Sequence, residues 1–168
     1  MILEIRHYPD PVLRKRCLPV QILRSKTCSG EEVKEVTPET KELIKNMFET
    51  MYQNQGVGLT ASQVGVLKRV VVVDVGNGPQ VFINLRILRK GGWETAEEGC
   101  LSVPGVYLNI KRAKTIAVEA LDENGEKFKL KAEGLLARCL QQEMDHLNGV
   151  LIIDRVGWWE KIKRKVFK

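Results

Sequence analysis

Leu43, Ile44, Met47, Phe48 and Met51 recur at i, i+1, i+4, i+5 and i+8, which predicts an amphipathic helix of roughly four turns. Thr37-Pro38 supplies its start, a hydroxyl N-cap followed by proline at the first helical position. The period then changes. RVVVVDV, residues 69–75, is β-branched and reads as a buried strand, and Gly76-Asn77-Gly78-Pro79 turns the chain into VFIN. TIAVEAL and EKFKLKAE, joined by Asp122-Glu123-Asn124-Gly125, read as a hairpin. A second helix is expected over about 134 to 148, closed by Asn148-Gly149. Trp159, Ile162 and Val166 fall at helical spacing in a last helix with a basic face. Helix, several antiparallel strands, then helix predicts an α+β fold rather than a repeating βαβ one.

The 168 residues predict a single domain spanning 1–168, long enough to bury its own core, with no repeat, low-complexity tract or linker dividing it. Glu4 and Arg6 interrupt the apolar region that a secretory signal needs. The longest apolar run, Val70 to Val73, is far too short for a bilayer. A cytoplasmic protein without membrane contact is therefore expected. Cys17, Cys28, Cys100 and Cys139 form no CxxC pair, so reduced thiols are the expectation, with one available as ligand or nucleophile. The net charge of +6 is concentrated. KIKRKVFK at the C-terminus carries Lys161, Lys163, Arg164, Lys165 and Lys168 and no acid. That helix reads either as a solvated element docked by its Trp side chains or as a contact for an anionic surface, ribosomal RNA among the candidates. Nothing suggests a coiled coil, so a monomer is expected.

Three stretches offer chemistry. In the second helix Gln142 and His146 are four apart and share a face, with Glu143 beside it. This is one residue away from His-Glu-x-x-His, where two ligands hold an ion and the neighbouring carboxylate handles a proton. The same residues also suit an ordinary exposed helix face. Only His7 and His146 are present, so a metal here needs another strong donor, and Cys100 is the obvious supplier. Cys100 sits in EEGCLSVPG, residues 97–105, which otherwise reads as a bulged strand with a buried cysteine. GVGLTASQVG, residues 56–65, is a glycine-rich turn lacking the Gly-Lys-Ser/Thr of a phosphate loop. Its small residues let another backbone approach, and Gln63 offers an amide.

Together and in this order the three stretches resemble peptide deformylase, whose members carry GxGLAAxQ, EGCLS and QHExDH. Here they stand as Gly56 to Gln63, Glu98 to Ser102, and Gln141 to His146. DPVLRKRC, INLRIL, Arg112 and LNGVLIIDR also look like the family, so the resemblance covers nearly the whole chain. It implies a deformylase-like fold, with antiparallel strands around a central metal-site helix, and removal of the formyl group from N-terminal formyl-methionine of nascent peptides. It implies one divalent metal ion, Fe(II) in the cell and Zn, Ni or Co in preparations, held at the positions of Cys100, Gln142 and His146. By the same resemblance Glu143 is the general base, and the Gln63 amide and Leu101 N–H meet the oxyanion. The glycine turn with Gly58 and the EGCLS strand with Gly99 would clasp the peptide as an added strand. Val57, Leu101 and Cys139 would line the methionine pocket, and Tyr107 would brace the peptide.

The departures are Thr60 and Ser62, for the family's alanine and proline, and Gln142 for a metal-binding histidine. Thr60 and Ser62 are small and are expected to matter little. The path from Cα to Gln Oε1 is about as long as that to His Nε2, and both donors are neutral, so the charge balance at an ion is kept. Donor strength and rigidity are lost. The alternatives are a protein that binds peptide N-termini without hydrolysing them, or a different metallohydrolase on the same scaffold.

Overall fold

The computed structural model describes residues 1–26 and 32–157. After a 3-10 turn at Pro11–Arg14 come a short antiparallel pair, β1 (Leu23–Lys26) and β2 (Glu32–Glu35), and then helix α1 (Pro38–Gln53). The helix starts as its sequence dictates, with Thr37 Oγ1 accepting from Thr40 N–H and Pro38 in the first turn. Strands β3 (Gly58–Thr60), β4 (Val70–Val73) and β5 (Gln80–Gly91) follow. β6 (Glu94–Glu98) and β7 (Leu108–Arg112) form a separate hairpin. β8 (Thr115–Leu121) and β9 (Lys127–Glu133) then lead into helix α2 (Gly134–Leu147). The main sheet has the order β3-β4-β5-β8-β9, and every pairing in it is antiparallel.

β4 explains the architecture. Successive side chains of a strand point to opposite faces, and all four valines of β4 are fully buried. Val71 and Val73 join Phe82, Leu85, Val118, Leu140 and Leu147 on the face that carries α2. Val70 and Val72 join Ile44, Met47, Met51 and Leu59 on the face that carries α1. The sheet is thus covered on both sides, which is why RVVVVDV shows no alternation. A third cluster, around Leu13, Leu108, Ile110 and Leu151, seats the β6–β7 hairpin.

The expected α1, β4, β8–β9 hairpin and α2 are all present, and the α+β class holds. Helix α2 ends at Asn148 and Gly149, whose φ of +74° is a left-handed turn. A Cβ on Gly149 would stand 2.4 Å from Arg14 O, so only glycine fits. Two expectations need correction. EGCLS is not a strand through Cys100: β6 stops at Glu98, and Cys100 opens a turn closed by Val103 N–H to Cys100 O at 3.0 Å. The glycine-rich stretch is more than a turn, since Gly58–Thr60 is the edge strand of the main sheet. The basic C-terminal helix and Cys28 lie outside the described residues. Among those described, no helix is long and apolar enough to cross a membrane.

Candidate metal and catalytic site

β3, the turn after β6 and one face of α2 enclose a cleft of about 590 Å³. Val57, Gly58, Gln63, Gly99, Cys100, Leu101, Tyr107, Cys139, Gln142 and Glu143, all singled out above, line it. His146 lies just behind, 1% exposed, its Nε2 3.2 Å from Cys100 Sγ. The sequence-predicted residues are therefore brought together without exception.

Their electrostatics follow from burial. Desolvation pushes the Glu143 carboxyl up to about 7, against the pull of the Thr60 hydroxyl and the Arg112 charge. Desolvation pushes His146 down to about 4, so near neutral pH its imidazole is uncharged with a free lone pair. Burial first, and the Glu143 charge second, push the Cys100 thiol up to about 12. His146 Nδ1 is buried with no hydrogen-bond partner among the described residues, so the ring's one polar contact is on its Nε2 edge.

A neutral imidazole and a thiol facing each other in a buried place suit a soft cation, which is also what would hold the thiol as thiolate. Ligand atoms at about 2.3 Å (S) and 2.0–2.1 Å (N) in a tetrahedral site stand about 3.5 Å apart, close to the 3.2 Å found here. Cys100 and His146 fit such an ion as they stand. Gln142 fits with one change. Its Nε2 donates to Gly99 O at 3.1 Å, and its amide lies close enough to the Cys100 thiol to draw that thiol's pKa slightly down. The N–H side is thus engaged by the Gly99 carbonyl. Ligation through Oε1 requires half a turn of the amide, releasing the carbonyl of the exposed Gly99 to water. Equal reach, the basis of the sequence expectation, is not the deciding quantity; orientation is. The described residues contain no cluster of three His, Cys, Asp or Glu side chains suited to a metal, so a third protein ligand here has to be of another type.

Behind the site lies a charge network that sequence reasoning missed. Arg112, 4% exposed, holds Glu98 bidentately at 2.6 and 2.8 Å and donates to Asp145 Oδ2 at 2.9 Å. Arg138 reaches Glu98 at 2.7 Å, and Arg155 reaches Asp145 at 2.9 Å. Glu98 ends the strand before Gly99-Cys100, and Asp145 precedes His146, so the network fixes the turn carrying the thiol against the helix carrying the imidazole. The available signal was Arg112 itself, in phase with buried Leu108 and Ile110 on β7.

Comparison with known proteins gives a consistent answer. The family model for polypeptide deformylase matches residues 2–162. Peptide deformylase 1 of Clostridium perfringens is 48% identical over 155 residues, covering 91% of this chain and 97% of that protein. The crystal structure of a peptide deformylase from Legionella pneumophila superposes with a TM-score of 0.87 at 38% identity, covering 98% of this chain and 92% of that one. The one from Thermotoga maritima gives 0.83 at 45% identity, over 94% and 99%. The chain belongs to the polypeptide deformylase family.

Against the deformylase pattern, one departure touches the site directly. Thr60 is fully buried, and its hydroxyl donates to Glu143 Oε2 at 2.7 Å. Ser62, also buried, has its Oγ 3.4 Å from His146 O. Gln63 donates from Nε2 to Ser102 Oγ at 3.2 Å and lies 3.7 Å from Cys100 Sγ. All three deformylase motifs thus converge on the Glu143–Cys100–His146 region.

Proposed function

We propose that this chain is a metal-dependent hydrolase that removes the formyl group from the N-terminal formyl-methionine of newly made polypeptides. One observation carries the reading: a buried carboxylate, an amide donor and a thiol–imidazole pair meet at the floor of one cleft, in a chain of the deformylase family. The family is metal-dependent, and Cys100, His146 and Gln142, with its amide turned, would hold a single divalent ion, Fe(II) with Zn, Ni or Co as substitutes. The chemistry such an ion supplies is Lewis acidity, which acidifies water and polarises a carbonyl oxygen.

The protein's own groups do the rest. Water adds to the formyl carbon while Glu143 takes its proton. In the metal-free chain burial raises this carboxyl to about 7, a value suited to accepting a proton and giving it back near neutral pH. The Gln63 Nε2–H and the Leu101 N–H donate to the oxygen that gains charge. Glu143 then returns the proton to the amine nitrogen as the C–N bond breaks, releasing formate. The methionine side chain lies against Val57, Leu101 and Cys139. The peptide backbone adds as a strand beside Gly58 and Gly99, braced by Tyr107. Gly58 leaves room where a Cβ would stand 2.5 Å from Cys139 Sγ, and Gly99 does the same against the Tyr107 ring at 2.9 Å.

The deciding experiment is deformylation of a formyl-Met peptide by protein loaded anaerobically with Fe(II) or Ni(II), beside Gln142→His. Turnover by the parent within a few hundredfold of the variant, with near one metal per chain, supports the reading. Activity in the variant alone would make this chain a binder of peptide N-termini, and activity in neither would end the proposal.

The enzyme is further proposed to work as a monomer at the ribosome surface. Support comes from the net +6 charge and from a second hollow lined by Arg16, Arg69, Arg86, Arg89 and Lys90 with no carboxylate. Neutralising Lys161, Lys163, Arg164 and Lys165 should weaken a salt-sensitive ribosome association; no association at low salt would exclude it.

A further inference from the structure

Residues 58 and 60 of β3 are two apart and so share one strand face, and that face meets the Glu143 carboxylate. Thr60 Oγ1 donates to Oε2 at 2.7 Å, with the Glu143 backbone O at 3.3 Å. Gly58 lies under the other oxygen, since a Cβ there would come within 2.8 Å of Oε1. Among the described residues no other side chain or backbone group donates to this carboxylate. Thr60 also faces the other way. Its N–H donates to Gln63 Oε1 at 2.8 Å, which leaves the Gln63 amide nitrogen pointing at Ser102 Oγ and Cys100 Sγ. One residue therefore touches both the carboxylate and the amide, and being β-branched and fully buried it has little χ1 freedom.

We infer that Thr60 is a positioning residue: its hydroxyl holds Glu143 by Oε2 so that Oε1 is presented to the cleft, while its backbone N–H holds the Gln63 amide in register with it. The inference rests on the function proposed above and adds to it a residue that departs from the family's alanine. A gripped carboxylate spends its time in the orientation from which it can take a proton, and misplacement of a reacting group by about an ångström can cost on the order of 100-fold in rate. A threonine placed only to fill space would do none of this.

The test is a comparison of Thr60→Val, which keeps the shape and removes the hydroxyl, with Thr60→Ser, which keeps the hydroxyl and removes the methyl. Both are made in the natural chain and in Gln142→His, and each protein is assayed for kcat, KM and bound metal. The expected result is a kcat reduced ~10- to 100-fold in Thr60→Val, with KM and metal content unchanged, and kcat largely restored in Thr60→Ser. Equal kcat in Thr60→Val and parent, or losses in Thr60→Ser as large as in Thr60→Val, would overturn it. Should neither the parent nor Gln142→His turn over, the proposed function fails on its own, and crystal structures of the two variants decide the role of Thr60. A carboxylate that leaves residue 60 in Thr60→Val and stays in Thr60→Ser supports the inference. One that stays in both removes it.

Discussion

Glu143 and His146 sit one helical turn apart and titrate in opposite senses, which makes their burial measurable. In the folded metal-free chain the Glu143 carboxyl is raised from an ordinary 4.5 to about 7. Between those values the folded state keeps a proton that the unfolded state has lost, so this residue's contribution to stability falls as pH rises. His146 is lowered from 6.5 to about 4. Over that interval the unfolded state takes up a proton that the folded state refuses, so its contribution falls as pH falls. Glu143→Gln should therefore gain stability on its parent, in chelated protein, by about 3 kcal/mol as pH goes from 4.5 to 7. Urea melts across that range read the difference directly, and a pH-independent offset would mean that Glu143 is not held protonated. With metal added, the same variant should lose deformylation while retaining the ion. At this scale the sequence was informative about which residues belong to the site, because the three motifs name them. It was silent on orientation. Neither the hold of the Gly99 carbonyl on the Gln142 N–H nor the grip of Thr60 on Glu143 can be read from residue type, since both depend on which atoms face each other across segments 43 and 83 residues apart.

Among the elements, the legible ones carry a single unbroken period: the stripe of α1, the apolar run of β4, the turn-linked β8–β9 pair, and α2 with its Asn148-Gly149 end. β5 was read only as far as VFIN because its register shifts between Ile83 and Arg86 and again between Ile87 and Arg89, which breaks the alternation. β6, ETAEE, has too few apolar residues to announce a strand, and pairs because β7 offers it a partner. Gly149 gives an element-scale test. It and Gly105 share a φ of +74°, but a Cβ at 149 meets the Arg14 backbone, whereas one at 105 meets nothing within 4 Å. Gly105→Ala should cost about 1 kcal/mol through backbone conformation alone. Gly149→Ala should cost about 2 kcal/mol or more, because the end of α2 can no longer rest on the N-terminal segment. Chemical denaturation of the pair, at equal m-values, separates the two terms; equal losses would mean that the contact at 149 relaxes freely.

In the molecule as a whole, the Glu98–Arg112–Asp145 network joins parts that hydrophobic packing leaves in different clusters: α2 on one side and, on the other, the β6–β7 hairpin with, through Arg155, the segment after α2. Arg112→Met would leave two carboxylates in a buried setting with only their outer partners, and should destabilise by about 3 kcal/mol at pH 7. Urea melts of the variant beside its parent check this. Bound metal per chain should fall in parallel, since the thiol and imidazole would no longer be held in one frame. Gln142 stands outside that frame. Half-buried and tied by its amide to Gly99 O, it has no hydrogen bond to the network among the described residues. Glutamine and histidine codons differ only in their third base, a purine in one and a pyrimidine in the other. A lineage carrying this gene can therefore cross between the two residues by one transversion, at a half-buried position outside the network that holds the thiol and imidazole together.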